Sequence, residues 1–230
     1  MFGFTQFELL LFTLPAIALA LLAQAWVSSA YAKGLQFNSR QSGFSAARQI
    51  LDSAGLHDVQ IEPVAGHMSD HYDPRDKVLR LSGDVFHGRT LTAVGIAAHE
   101  AGHAIQDGVG YLPLIIRNFA VPAASFGSGA GGILMLLGVI MSFKPLLLAG
   151  IVLFSGVVFF QLINLPVEFN ASTRAKRLLV TEGIVHPDDM GPVRSVLNAA
   201  ALTYVAGTLQ AVLTLLYYVL QFNRGERSNG

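Results

Sequence analysis

Four stretches of the chain contain no Asp, Glu, Lys or Arg: Leu9 to Ala32, Phe119 to Phe143, Pro145 to Val167 and Ser195 to Asn223. Each exceeds the roughly 20 residues that a helix needs to cross a bilayer core. They predict four transmembrane helices, at about 9–30, 119–142, 145–166 and 198–221. A buried soluble helix is the alternative for any one of them, but four such helices in so short a chain leave no amphipathic shell to cover them. The glycine-rich run from Gly127 to Gly132 falls inside the second stretch and has no lysine after it. It reads as a place of close helix packing, not as a phosphate loop.

Two polar segments remain, Lys33 to Asn118 and Glu168 to Arg194. In the first, Ala46, Ala47, Ile50, Leu51 and Ala54 recur at helical spacing, and Gly55 supplies a stop, which predicts a helix over Ser42–Ala54. Val59 to Glu62 and Val78 to Ser82 alternate as strands do, with a turn signal at Asp73-Pro74-Arg75-Asp76. A longer helix is expected over Arg89–Gln106, capped by Thr90 and ended by Gly108 and Gly110. In the second segment the third span should continue as a helix from about Pro166 through Val180, broken by Gly183. His186-Pro187-Asp188-Asp189 reads as the cap of a helix leading into the fourth span. The expected fold class is a mainly α membrane protein with a small α+β unit. It is taken as one domain, 1–230, with soluble segments 33–118 and 168–194.

Composition agrees with lipid: 52% of residues are hydrophobic and 13% charged, about half the usual share of charge in a soluble domain. The formal net charge is zero, so nothing suggests a nucleic-acid partner. The chain has no cysteine, which excludes disulfides, iron–sulfur clusters and thiolate metal sites. Ala30-Tyr31-Ala32 has the look of a cleavage site, but no basic residue precedes the first apolar run and Glu8 stands where positive charge is expected. That favours a retained anchor. Two crossings separate the polar segments and put both on one side. That side carries 12 basic residues against 3 on the other. The bias expects a multi-pass protein of the inner (cell) membrane with its polar segments in the cytoplasm.

The chemistry is carried by His99-Glu100-Ala101-Gly102-His103, an H-E-x-x-H motif on a predicted helix. Imidazoles four residues apart project from one helix face, one turn apart. Both can therefore reach one Zn²⁺, while Glu100 lies beside that face, suited to a water and not to the ion. A catalytic zinc needs a third protein ligand and an open position. Glu168, where the third span ends, is the best candidate, because a carboxylate at a membrane boundary is costly unless paired or metal-bound. The competing view makes Glu168 a helix-start carboxylate behind Pro166, and His71 and His67 are rival third ligands. For stabilising an oxyanion the candidates are His71, Tyr72 and Arg174, in that order. His71 stands between Asp70 and Asp73, which would favour its protonated form, although Asp70 to Pro74 reads equally as a polar turn. The strand Val78–Ser82 either accepts an extended substrate along its edge or is an ordinary sheet strand.

The sequence resembles the bacterial neutral zinc metallopeptidases of the membrane-protease type. The resemblance is carried by Ser69 to Pro74, Leu79 to Ser82, Ala97 to Gln106, Leu165 to Ser172 and Ala199 to Ala206. It implies a membrane-bound zinc metalloendopeptidase, a hydrolase of polypeptides acting in membrane-protein quality control or processing. It further implies a gluzincin-like His99/His103/Glu168 site and catalytic Glu100. More loosely, the chain is similar to membrane proteases of the heat-shock and prenyl-protein type, which carry E-x-x-A-D downstream. Ser172 stands here in place of that Asp, and accepts an imidazole N–H more weakly than a carboxylate does.

Two other readings compete. An intramembrane protease would hold the motif in a long apolar span, but only nine residues, Thr90 to Ala98, separate Arg89 from His99, and no Leu-Asp-Gly follows. A non-catalytic membrane adaptor would keep a structural zinc, closed by four protein ligands. The presence of Glu100 favours the enzyme.

Overall fold

A computed structural model describes residues 6–227. The elements are helix α1 (Gln6–Gly34), α2 (Gly43–Ser53), strands β1 (Gln60–Val64), β2 (His71–Asp73) and β3 (Val78–Ser82), the short α3 (Gly83–Phe86) and α4 (Leu91–Gly108). There follow α5 (Leu112–Phe126), a π-helical turn (Gly127–Gly131), α6 (Gly132–Ile140), α7 (Lys144–Thr181), a 3₁₀ turn (Pro187–Asp189) and α8 (Met190–Arg227). The protein is a mainly α membrane protein with a small α+β unit. Four helical stretches are long and apolar enough to cross a membrane: Phe7–Gly34, Leu112–Ile140, Lys144–Thr181 and Pro187–Asn223. The second begins earlier than the charge-free stretch suggested, because Arg117 is accommodated within α5.

The described residues form two compact units. One consists of residues 6–22, 116–165 and 203–227. Its apolar side chains point outward as well as inward: Leu14, Leu21, Phe119, Phe126, Ile133, Val152 and Phe159 are all exposed, as expected where lipid is the solvent. A small cluster of Met135, Val139, Leu147, Tyr217 and Tyr218 is buried. Glycines set how closely the helices approach. A Cβ on Gly150 would lie 2.5 Å from the Met135 nitrogen, one on Gly131 3.0 Å from the Phe154 nitrogen, and one on Gly138 would meet the Leu147 backbone. The glycine run therefore packs helices, as small residues do in membranes, and its looser winding appears as the π turn. The turn into α7 lies at Met141 to Phe143, with Ser142 at positive φ. Lys144 and Pro145 open the helix, where proline's missing N–H costs nothing.

The other unit consists of residues 23–115 and 166–202. Its core joins α2, the sheet, α4, the C-terminal half of α7 and the start of α8: Ile50, Leu51, Leu79, Leu81, Val94, Ala97, Ala101, Ala175, Leu179 and Val193 are fully buried. Each buried Leu or Ile contributes about 1.5–3 kcal/mol. Ser42 caps α2 by accepting from the Ser45 N–H, and Thr90 caps α4 by accepting from the Ala93 N–H, so the helix starts fall one and two residues after the expected Ser42 and Arg89. Arg48 closes the link from α2 to β1 with hydrogen bonds to the carbonyls of Val59 (2.6 Å) and Leu56 (2.8 Å).

The sheet order is β1-β3-β2, with β1 parallel and β2 antiparallel to β3. Two corrections follow. Asp70 to Pro74 is not merely a turn, since His71–Asp73 forms an edge strand. And β3, read as a possible acceptor of extended substrate, is the central strand, so both of its hydrogen-bonding edges are already occupied.

A candidate metal centre between two helices

The C-terminal half of α7 lies against α4. Along α7, Val167, Ala171, Ala175 and Leu179 recur every four residues and are fully buried, which fixes the face that α7 presents to the core. Glu168 and Ser172 flank that stripe and are buried with it. On α4 the matching position is Gly102. A Cβ there would lie 3.0 Å from the Ala171 carbonyl oxygen and 3.3 Å from its Cα. Glycine inside the H-E-x-x-H motif thus lets two backbones come close enough for side chains of both helices to meet.

What meets is His99, His103 and Glu168, whose candidate ligand atoms all lie within 4.8 Å of one another. His99 Nε2 is 3.3 Å and His103 Nε2 3.5 Å from Glu168 Oε2. The imidazole rings stand edge to face, with centroids 4.8 Å apart and planes at 89°. Each ring's other nitrogen has a polar partner: Ser172 Oγ is 3.1 Å from His99 Nδ1, and Gln106 Oε1 is 2.9 Å from His103 Nδ1. Both Nε2 atoms consequently face the carboxylate. Burial disfavours a charged His103, but the hydrogen bond to Glu168 and the charges of Glu100 and Glu168 outweigh it and raise its pKa. The site draws positive charge. Two nitrogens and one carboxylate oxygen fit a zinc-type metal with a further position for water.

Glu168 is therefore the carboxylate of this cluster, and the rival ligands lie elsewhere. His67 is exposed, 3.4 Å from Asp84 and edge-on to Tyr31. His71 is exposed on β2 with Nδ1 2.8 Å from the Ser69 carbonyl. The helix-start reading of Glu168 also fails, because Pro166 lies inside the unbroken helix α7. Glu100 follows His99 on α4, half-buried beside the cluster.

The residues considered for an oxyanion have other engagements as well. Tyr72 donates to Asp107 Oδ2 at 2.9 Å; burial and that acceptor hold its phenol far above the ordinary range, so it stays neutral. Arg174 Nε donates to Asn170 Oδ1 at 2.7 Å. Asp70 accepts from the Ser82 N–H (2.8 Å) and hydroxyl (3.0 Å), and Asp73 accepts from Arg80 (2.9 Å), so the two carboxylates beside His71 serve the sheet. Gln106 and Asn170 had no role in the sequence reading. Nothing in their spacing marks them until α4 and α7 are brought together.

A helix-borne His-His-Glu cluster in a chain with four long apolar helices fits a membrane protein with a metal site, and the comparisons with known proteins agree. The chain belongs to the family described as "putative neutral zinc metallopeptidase", whose profile matches residues 9–223. It is 44% identical over 219 residues to the "Putative membrane protease YugP" of Bacillus subtilis (strain 168), covering 94% of this chain and 97% of that protein. No solved structure matches.

Proposed function

We propose that the chain is a membrane-bound zinc metalloendopeptidase, with His99, His103 and Glu168 as ligands and Glu100 as the catalytic base. The carrying observation is the convergence of two Nε2 atoms and one carboxylate oxygen, with both Nδ1 atoms engaged behind them. Zinc, when bound there, supplies Lewis acidity toward a water and toward the scissile carbonyl. Glu100 takes the proton of the attacking water and later delivers it to the leaving amine. The growing negative charge on the carbonyl oxygen needs a donor. His71, Tyr72 and Arg174 are the candidates, each already bonded to one acceptor, through Nδ1, the hydroxyl and Nε respectively. The chain works as one metallopeptidase domain, 1–230, on polypeptides at the cytoplasmic face of the inner membrane, in quality control or processing of membrane proteins. The excess of basic residues in its polar segments and the family membership support this assignment.

The test is metal removal. Full-length protein in detergent should carry one zinc per chain, lose cleavage of an unfolded protein substrate on chelation, and regain it with zinc. Zinc at a hundredfold excess over Kd should also raise the stability of the metal-free protein by about 2.7 kcal/mol. A preparation that hydrolyses equally well after complete chelation would defeat the proposal.

A further inference from the structure

Behind the ligands, the structure holds a chain of hydrogen bonds whose polarity can be worked out from groups that have no choice. Arg174 Nε can only donate, and it lies 2.7 Å from one amide atom of Asn170. That atom must be the oxygen. The same oxygen lies 3.0 Å from the terminal amide of Gln106, so the Gln106 atom facing it must be the nitrogen. The Val167 carbonyl, an acceptor only, lies 2.8 Å from that nitrogen and requires the same orientation. With the nitrogen so placed, Gln106 Oε1 is the atom 2.9 Å from His103 Nδ1. An amide oxygen can only accept. The proton of His103 is therefore on Nδ1, and a neutral His103 has its lone pair on Nε2, aimed at Glu168. Gln106 is fully buried, so no solvent position competes for these bonds.

His99 is held differently. Its Nδ1 faces the hydroxyl of Ser172 at 3.1 Å, and a hydroxyl both donates and accepts. Ser172 accommodates either tautomer of His99, whereas Gln106 admits one tautomer of His103. We propose that Gln106, oriented by Asn170 and Arg174 and by the Val167 carbonyl, is a positioning residue that presets His103 in the ligating tautomer, while His99 adjusts as the metal enters. This rests on the His-His-Glu metal reading. It also gives Arg174 a task, orienting Asn170, different from the oxyanion contact considered above.

The experiment uses the full-length protein in detergent, with zinc affinity measured by chelator competition and the ring N–H protons observed by NMR on ¹⁵N-histidine-labelled, zinc-loaded protein. Gln106→Met keeps the side-chain length and removes the acceptor. Its zinc affinity should fall about 10–100-fold, the range for partners behind a metal ligand. The His103 Nδ1–H resonance should shift while that of His99 stays in place. Asn170→Ala leaves Gln106 against His103 with its amide held by the Val167 carbonyl alone, and should give a smaller loss in the same direction. Should Gln106→Met not fold, Asn170→Ala decides alone. Wild-type affinity and an unmoved His103 resonance in the variants would overturn the positioning role while leaving the metal site intact. Wild-type protein that takes up no zinc would instead overturn the metal reading itself.

Discussion

Changing Glu100 to Gln is expected to remove peptide hydrolysis and leave zinc binding in place. The substitution preserves the size of the side chain and takes away only its capacity to accept a proton. Glu100 lies outside the group of candidate ligand atoms formed by His99, His103 and Glu168, so the cluster should still load. General-base assistance is worth about 10²–10⁴ in rate, and the same carboxylate also serves the leaving amine, so the loss should reach the upper end of that range. Single-turnover cleavage of a quenched peptide, alongside zinc stoichiometry of the same sample, separates the two properties. The result also decides between an enzyme and an adaptor with a structural zinc: an adaptor's biological function would be indifferent to the amide. Hydrolysis at wild-type rate would remove Glu100 from the mechanism.

Glu168→Ala carries the second large effect, on the metal rather than the chemistry. The carboxylate is the candidate ligand contributed by α7, and it is buried against two imidazoles at 3.3 and 3.5 Å. Without it the two histidines of α4 form a two-coordinate site, below the three protein ligands a catalytic zinc requires. Zinc affinity should drop by more than the roughly 10–100-fold that partners behind a ligand cost. Thermal unfolding reports this cleanly. Zinc at a thousandfold excess over Kd stabilises the wild type by about 4.1 kcal/mol, and the variant should show almost none of that increment. An unchanged zinc-dependent rise in Tm would mean that another group completes the site.

The parts of this molecule legible in its sequence are those governed by local rules. The H-E-x-x-H motif needs only one helical turn to bring His99 and His103 to one face. The spans needed only length and the absence of charge, and the cap at Thr90 needed only a hydroxyl before a periodic run. Glu168 lay within reach because a carboxylate at the end of an apolar stretch is conspicuous. What stayed hidden depends on contacts between distant segments. The strand β2 is three residues long, too short for alternation to register. The central place of β3 follows from pairing order, which no single strand encodes. Gln106 follows the motif by three residues, but its task exists only because Val167 and Asn170, some sixty residues later, close over it.

The crossing at Gly102 has a genetic consequence. The atoms that an added methyl would meet are the carbonyl oxygen, Cα and carbonyl carbon of Ala171, all of them main chain. Trimming Ala171 to glycine would leave every one of those atoms in place. A damaging enlargement at position 102 therefore has no intragenic suppressor at the residue it collides with, and revertants selected for recovered activity should restore glycine or map to sites that shift the whole of α7.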